Sequence, residues 1–162
     1  MLGVGYRQGE LKMAAYINGK IQKGIGESSN TVKEQMPFFE KCFPEVTCCK
    51  AATINILLEK PLVILSPDFT TEPLPWHPAF KMVKGGEVFK FLRIKLQVEG
   101  FEEVNAWIYK AQFSPYQGNP YYIEVLAPKI NFTGNPNCKI IVPGNCNEGF
   151  VVIGESKRPS GK

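Results

Sequence analysis

The segment from Val88 to Val98 constrains the fold more than any other part of this chain. Val88, Leu92, Ile94, Leu96 and Val98 share one parity, while Phe89, Phe91, Arg93, Lys95 and Gln97 share the other. Successive side chains of a β-strand point to opposite faces, so this alternation predicts a long, half-buried strand. Such a strand needs a partner on each edge and cover over its apolar face. Glu99-Gly100 supplies a turn, and Val104 to Lys110 returns as the antiparallel partner.

Further strand signals fill most of the remaining chain. Ala15, Ile17 and Ile21 suggest one strand, Ala52 to Leu58 a second and Leu62 to Leu65 a third. Tyr121 to Leu126 reads as another, and Lys139 to Val142 with Phe150 to Ile153 as a final pair. A helix is expected after the first strand: Thr31 and Glu34 have capping-box spacing, and Met36, Phe39, Cys42 and Phe43 recur at helical intervals. Pro37 predicts that the helix effectively starts there, with the proline in its first turn. Six to eight strands against one helix predict a mainly β fold, a small β-barrel with one short helical insertion. Residues 1–12 show no sustained period and precede Met13, so they read as a loose, disordered tail. Residues 13–162 read as a single domain, in keeping with a chain of 162 residues.

Composition enters as a limit on chemistry. The acidic residues comprise fourteen Glu and a single Asp, Asp68, and His77 is the only histidine. Two-metal sites built on Asp clusters, zinc sites needing two His, and aspartic dyads therefore lack their parts. The five cysteines Cys42, Cys48, Cys49, Cys138 and Cys146 are odd in number, and Cys48 and Cys49 are adjacent rather than spaced for zinc. With no secretory signal and no apolar run long enough to span a bilayer, a cytoplasmic protein with idle thiols and no membrane partner is expected. The match to a glycosylation sequon at Asn131-Phe132-Thr133 is then a coincidence. The net charge of +4 comes from basic residues scattered along the chain, so nucleic acid is not indicated. A monomer is expected. A proline-rich loop carries Pro67, Pro73, Pro75 and Pro78 with Trp76, whose ring is read as a cap on the core.

Three short elements bear on function. Gly24-Ile25-Gly26-Glu27-Ser28 follows the first strand, where glycines let backbone amides approach phosphate oxygens; read alone it is an ordinary turn. It lacks the Gly-Lys-Ser/Thr ending of a Walker loop and the third glycine of a dinucleotide fingerprint. Thr53 and Asn55, two apart on a strand, place two neutral oxygens on one face; these suit a Mg²⁺ that shares its ligands with phosphates and water, or a plain polar step in a sheet. Glu124 sits in the apolar strand Tyr121 to Leu126, either as a buried base for a hydroxyl proton or as a solvated edge residue.

Taken in order, Gly-x-Gly-Glu, Thr-x-Asn and a strand Glu before Ala127-Pro128 resemble the CTP-dependent riboflavin kinases best known from archaea, over roughly Tyr16 to Pro128. The resemblance implies that family's riboflavin-kinase-like (cradle-loop) β-barrel and Mg²⁺-dependent transfer of the γ-phosphate of CTP, or another nucleoside triphosphate, to riboflavin, giving FMN. It implies nucleotide binding by Gly24, Ile25, Gly26, Glu27 and Ser28 and by Lys129, Ile130, Asn131 and Phe132. It also implies Mg²⁺ ligation by Thr53 and Asn55, flavin contact by Ser114 and Glu124, and a catalytic role for Glu124. Ser28 stands where the family carries glycine, Ala52 stands where glycine is common, and Asn131 to Glu148 do not reproduce the family's helix. These departures motivate the alternative of a non-catalytic barrel that binds a flavin or nucleotide.

Overall fold

The structure is a computed structural model that describes residues 15–23, 28–78, 85–116, 118–143 and 150–152; side chains at 15, 28–30 and 150–152 are outside the description. Residues 1–12 and the loop Gly24, Ile25, Gly26 and Glu27 lie outside the described residues, as does Cys146.

In chain order the elements are β1 (Ala15–Gln22), α1 (Ser28–Cys42), a 3-10 turn (Pro44–Cys48), β2 (Ile54–Leu58), β3 (Leu62–Ile64) and β4 (Phe69–Thr70). Then follow β5 (Phe89–Val98), β6 (Val104–Ala111), β7 (Tyr122–Leu126), β8 (Asn137–Val142) and β9 (Phe150–Val152). The fold is mainly β. Strands β5-β6-β7-β2-β1-β8 form an antiparallel ring that closes through a β8–β5 pairing. Closure leaves the ring without a free edge, and the ten residues of β5 make it possible. One edge of β5 pairs with β6 from Phe89 to Leu96; the other is shared between β4, at Lys90 and Phe91, and β8, from Lys95 to Val98.

The β5–β6 hairpin forms as the alternation requires, with Gly100 at a φ of 90° in the connecting turn, a region that favours glycine. The last two strands differ from expectation: β8 joins the ring between β1 and β5, whereas β9 pairs with β3 in a separate two-stranded sheet. β8 shares its apolar face with distant strands and β9 pairs with the distant β3, so adjacency in sequence does not select the partner.

Two cores result. The barrel interior is almost wholly aliphatic, built from residues such as Ile17, Ile56, Leu92, Leu96, Ile108, Val125 and Ile140. A second core lies outside the ring, beneath α1. There Val32 and Phe39 of the helix, with Phe43 just beyond its end, meet Phe89 and Phe91 of β5 and Tyr109 of β6. Phe39 packs edge-on against Phe89 and Phe91 with centroids 5.1 and 5.2 Å away, and Phe43 stacks on Phe69 at 4.7 Å. Around Phe89 to Leu92, β5 therefore buries side chains of both parities, a correction to the half-buried strand expected from its alternation: Phe89 and Phe91 are fully buried beneath the helix, while Lys90 and Arg93 stay exposed.

The helix also corrects its predicted start. It begins at Ser28, so Thr31 lies inside the first turns rather than capping it, and Pro37 is internal. Pro37 is on the exposed face, where a carbonyl left without its donor can be hydrated. Val32, Met36, Phe39 and Phe43 still form one apolar stripe, and its burial outweighs the lost bond.

The lone aspartate is structural. Asp68 accepts a hydrogen bond from the Arg93 amide at 2.7 Å, extending the β4 edge along β5. Arg93 forks onto Glu45 at 2.6 and 2.8 Å, and the Trp107 indole donates to the same carboxylate at 2.8 Å. These donors hold the Glu45 carboxyl below its ordinary value and tie the 3-10 turn to the sheet. Among the described residues no helix is long and apolar enough to cross a membrane.

Candidate functional site

Antiparallel register carries one row of side chains across the outer face of the ring. Gln22 is opposite Asn55, Asn55 opposite Glu124, Glu124 opposite Tyr109, Tyr109 opposite Phe91, and Phe91 opposite Phe69. Directly opposed residues share a face, so this row runs from polar to aromatic. Its aromatic end lies under α1, and its polar end faces two cavities.

The first cavity, about 200 Å³, is lined by Thr53, Asn55, Glu87, Ser114 and Glu124 together with Gln35 and Tyr109, and walled by Trp76, Phe113 and Tyr116. The second, about 540 Å³, is lined by Lys23, Lys50, Thr53, Asn55, Lys129, Ile130 and Phe132 among others. Thr53 and Asn55 belong to both. Among the described residues the charges on the two sides are opposite: the first cavity carries two glutamates and no basic residue, the second three lysines and no acidic residue.

At the boundary, Glu124 receives two hydroxyls. Ser114 Oγ donates to Oε2 at 2.6 Å, and Thr53 Oγ1 donates to Oε1 over a longer 3.4 Å. Burial pushes the Glu124 carboxyl up and the charge of Glu87 adds to that rise to a smaller extent, while the two hydroxyl donors partly offset it. A carboxylate of raised basicity next to an open cavity is suited to taking a proton from a bound hydroxyl. Asn55 Oδ1 is buried and has no hydrogen-bond partner among the described residues. An unpaired buried amide oxygen carries a desolvation penalty that a ligand donor or a cation would remove.

That orphaned oxygen is the observation relevant to Mg²⁺. Two neutral oxygens from Thr53 and Asn55 cannot neutralise the ion, and among the described residues no group of three or more His, Cys, Asp or Glu converges on a metal site. The residues therefore fit an ion whose remaining ligands are phosphate oxygens and water, which is the habit of Mg²⁺, and do not fit an all-protein cage.

The structure thus brings Thr53, Asn55, Ser114 and Glu124 together, and places Lys129, Ile130 and Phe132 on the cationic cavity. Asn131 is exposed and does not line it. Ser28 opens α1, and Lys23, which precedes the undescribed glycine loop, lines the cationic cavity. Trp76 combines two roles: it packs against the aromatic core and walls the anionic cavity.

Sequence reasoning missed Glu87, Gln35, Tyr109 and Lys50. The Tyr109 hydroxyl donates to buried Gln35 at 2.6 Å, joining helix to sheet beside Glu124. Glu87 is 2% exposed, accepts hydrogen bonds from Trp76 and Phe113, and burial holds its carboxyl above the ordinary value. A lone glutamate entering an apolar strand was the available signal, the same one that singled out Glu124. A third cavity of about 300 Å³ adjoins the first across Ser114, Tyr116 and Glu124, and Tyr116 stacks there on Tyr122 at 4.2 Å.

Searches against protein-family models and against curated proteins give no match to this chain.

Proposed function

We propose that this protein transfers a phosphoryl group from a nucleoside triphosphate to a small alcohol, with CTP and riboflavin as the pair that the motif order favours. The observation that carries the reading is the pair of oppositely charged cavities sharing Thr53 and Asn55. A polyphosphate is attracted to the side holding Lys23, Lys50 and Lys129. A neutral acceptor with hydroxyls suits the side holding Glu87 and Glu124, where aromatic walls offer faces for a flat ring.

The chain's own residues then have distinct tasks. The lysine side holds the donor, and Phe132 and Ile130 offer it apolar surface. Glu124, fixed by Ser114, accepts the proton of the acceptor hydroxyl as that oxygen bonds to the γ-phosphorus and the bond to the β-phosphate oxygen breaks. Mg²⁺, when held by Thr53 and Asn55 with the phosphates, supplies charge neutralisation. Alignment and electrostatics are the main contributions in phosphoryl transfer, so the shortage of Asp and His is no obstacle.

Incubating the protein with riboflavin, Mg²⁺ and either CTP or ATP tests the reading. FMN formation is expected, and no FMN from either donor overturns it. Saturable flavin binding with no turnover would instead support a non-catalytic binding barrel, the reading motivated by Ser28 in place of glycine.

A further inference from the structure

We propose that Glu87 is a positioning residue of this site, joining the Trp76 loop to the turn that carries Ser114 and so setting the placement of Glu124. The inference rests on the phosphotransferase reading for its kinetic consequence, but its structural content stands independently.

Glu87 uses its two oxygens on two different segments. Oε1 accepts from the Trp76 indole at 2.9 Å, and Oε2 accepts from the Phe113 amide at 2.7 Å. The next residue after Phe113 is Ser114, whose hydroxyl donates to Glu124 at 2.6 Å and accepts from the Tyr116 amide at 3.1 Å. The route from Glu87 to Glu124 is therefore the Phe113–Ser114 backbone and two hydrogen bonds. A neighbouring pair strengthens the same junction: Gln112 N donates to Val88 O, and Val88 N donates to Gln112 Oε1, both at 3.0 Å.

The backbone at Glu87 is itself fixed. Its amide and carbonyl both bond to Leu74, at 3.0 and 2.9 Å. Gly86 before it has a φ of 137°, and a Cβ there would fall 2.4 Å from the Leu74 carbonyl carbon, so only glycine permits the approach. A buried carboxylate whose two oxygens each take an N–H donor in a glycine-tight junction is costly to keep unless the junction matters. Glutamine cannot replace it evenly, because its amide nitrogen would face one of the two N–H donors.

The test compares Glu87→Ala, Glu87→Gln and Trp76→Phe with the intact protein. Amide hydrogen exchange at Phe113 is expected to rise about tenfold or more in Glu87→Ala and less in Glu87→Gln, while Ile94 and Leu96 in the barrel keep their protection. In Trp76→Phe, which removes one donor and leaves the other, Phe113 should stay close to wild type. With riboflavin as acceptor, kcat should fall about tenfold in Glu87→Ala while the nucleotide KM stays within about twofold. Phe113 exchange within about twofold of wild type in both Glu87 variants overturns the proposal, as does a nucleotide KM that moves as much as kcat. If Glu87→Ala fails to fold, Glu87→Gln carries the same readouts. Absence of FMN from the intact protein defeats the functional reading alone, since the exchange comparison still decides the junction.

Discussion

The two faces of the sheet formed by β2, β7 and β6 do different work with the same backbone. Inward, Ile54, Val125 and Ile108 are opposed in register, and all contribute to the aliphatic core. Outward, one residue along each strand, Asn55, Glu124 and Tyr109 are opposed in the same way and present an orphaned amide oxygen, a carboxyl of raised basicity and a phenol. The inner row gains stability from burial, whereas the outer row spends some on desolvated polar groups. That difference separates what holds the fold from what equips a site, and it is open to attack from either side.

The largest expected effect falls on the inner row. Ile108→Ala removes a fully buried side chain and should cost about 2–5 kcal/mol of unfolding free energy, measured by denaturant melts. Next, Glu124→Gln should lower kcat for FMN formation by roughly 10²-fold or more, yet change stability by less than about 1 kcal/mol, because both hydroxyl partners can rotate to suit the amide. Equal losses of stability from the two substitutions would erase the distinction. The acid limb of the rate profile should also lie above the ordinary glutamate range, since Glu124 must be ionised to accept a proton and burial raises its folded value.

Asn55→Leu sharpens the contrast further. Removing an unpaired buried acceptor should raise stability by about 1 kcal/mol while abolishing Mg²⁺-dependent turnover, read by melts and by metal titration. A loss of stability would mean that the amide is paired within the fold. The smallest effect concerns Glu45, which lines neither cavity. Its folded value is lowered, so its contribution is present above about pH 4.5 and is lost as pH falls through the lowered folded value. Glu45→Gln should flatten the acid arm of stability against pH in that window. The change is under about 1 kcal/mol at neutral pH, because Arg93 is half-exposed and water screens the pair.

The legibility of the chain follows the range of the interactions. The alternation from Val88 to Val98 foretold β5 and its hairpin because period and turn are local. It did not foretell that Phe89 and Phe91 are covered, since Phe39 of the helix and Phe43 just beyond it, about 50 residues earlier, pack on them. The helix start was misjudged at Pro37 for a similar reason: propensity disfavours an internal proline, and aromatic packing against the sheet overrides it. Thr53, Asn55 and Glu124 were readable as a strand pattern; Glu87 carried the same signal at the head of an apolar strand, but its role was not readable, because that lies in contacts with Trp76 and Phe113.

What the sequence by itself determined is therefore the strand-rich class, the aromatic helix after the first strand and the exclusion of Asp- and His-based chemistry, all of which depend on composition and short-range period. The tertiary structure alone decided that β8 closes the ring and β9 leaves it. It alone placed three lysines on one side of Thr53 and Asn55 and two glutamates on the other. Register and closure are settled by which apolar faces can be buried together over the whole chain, and charges scattered in sequence acquire a sign only where the folded backbone collects them.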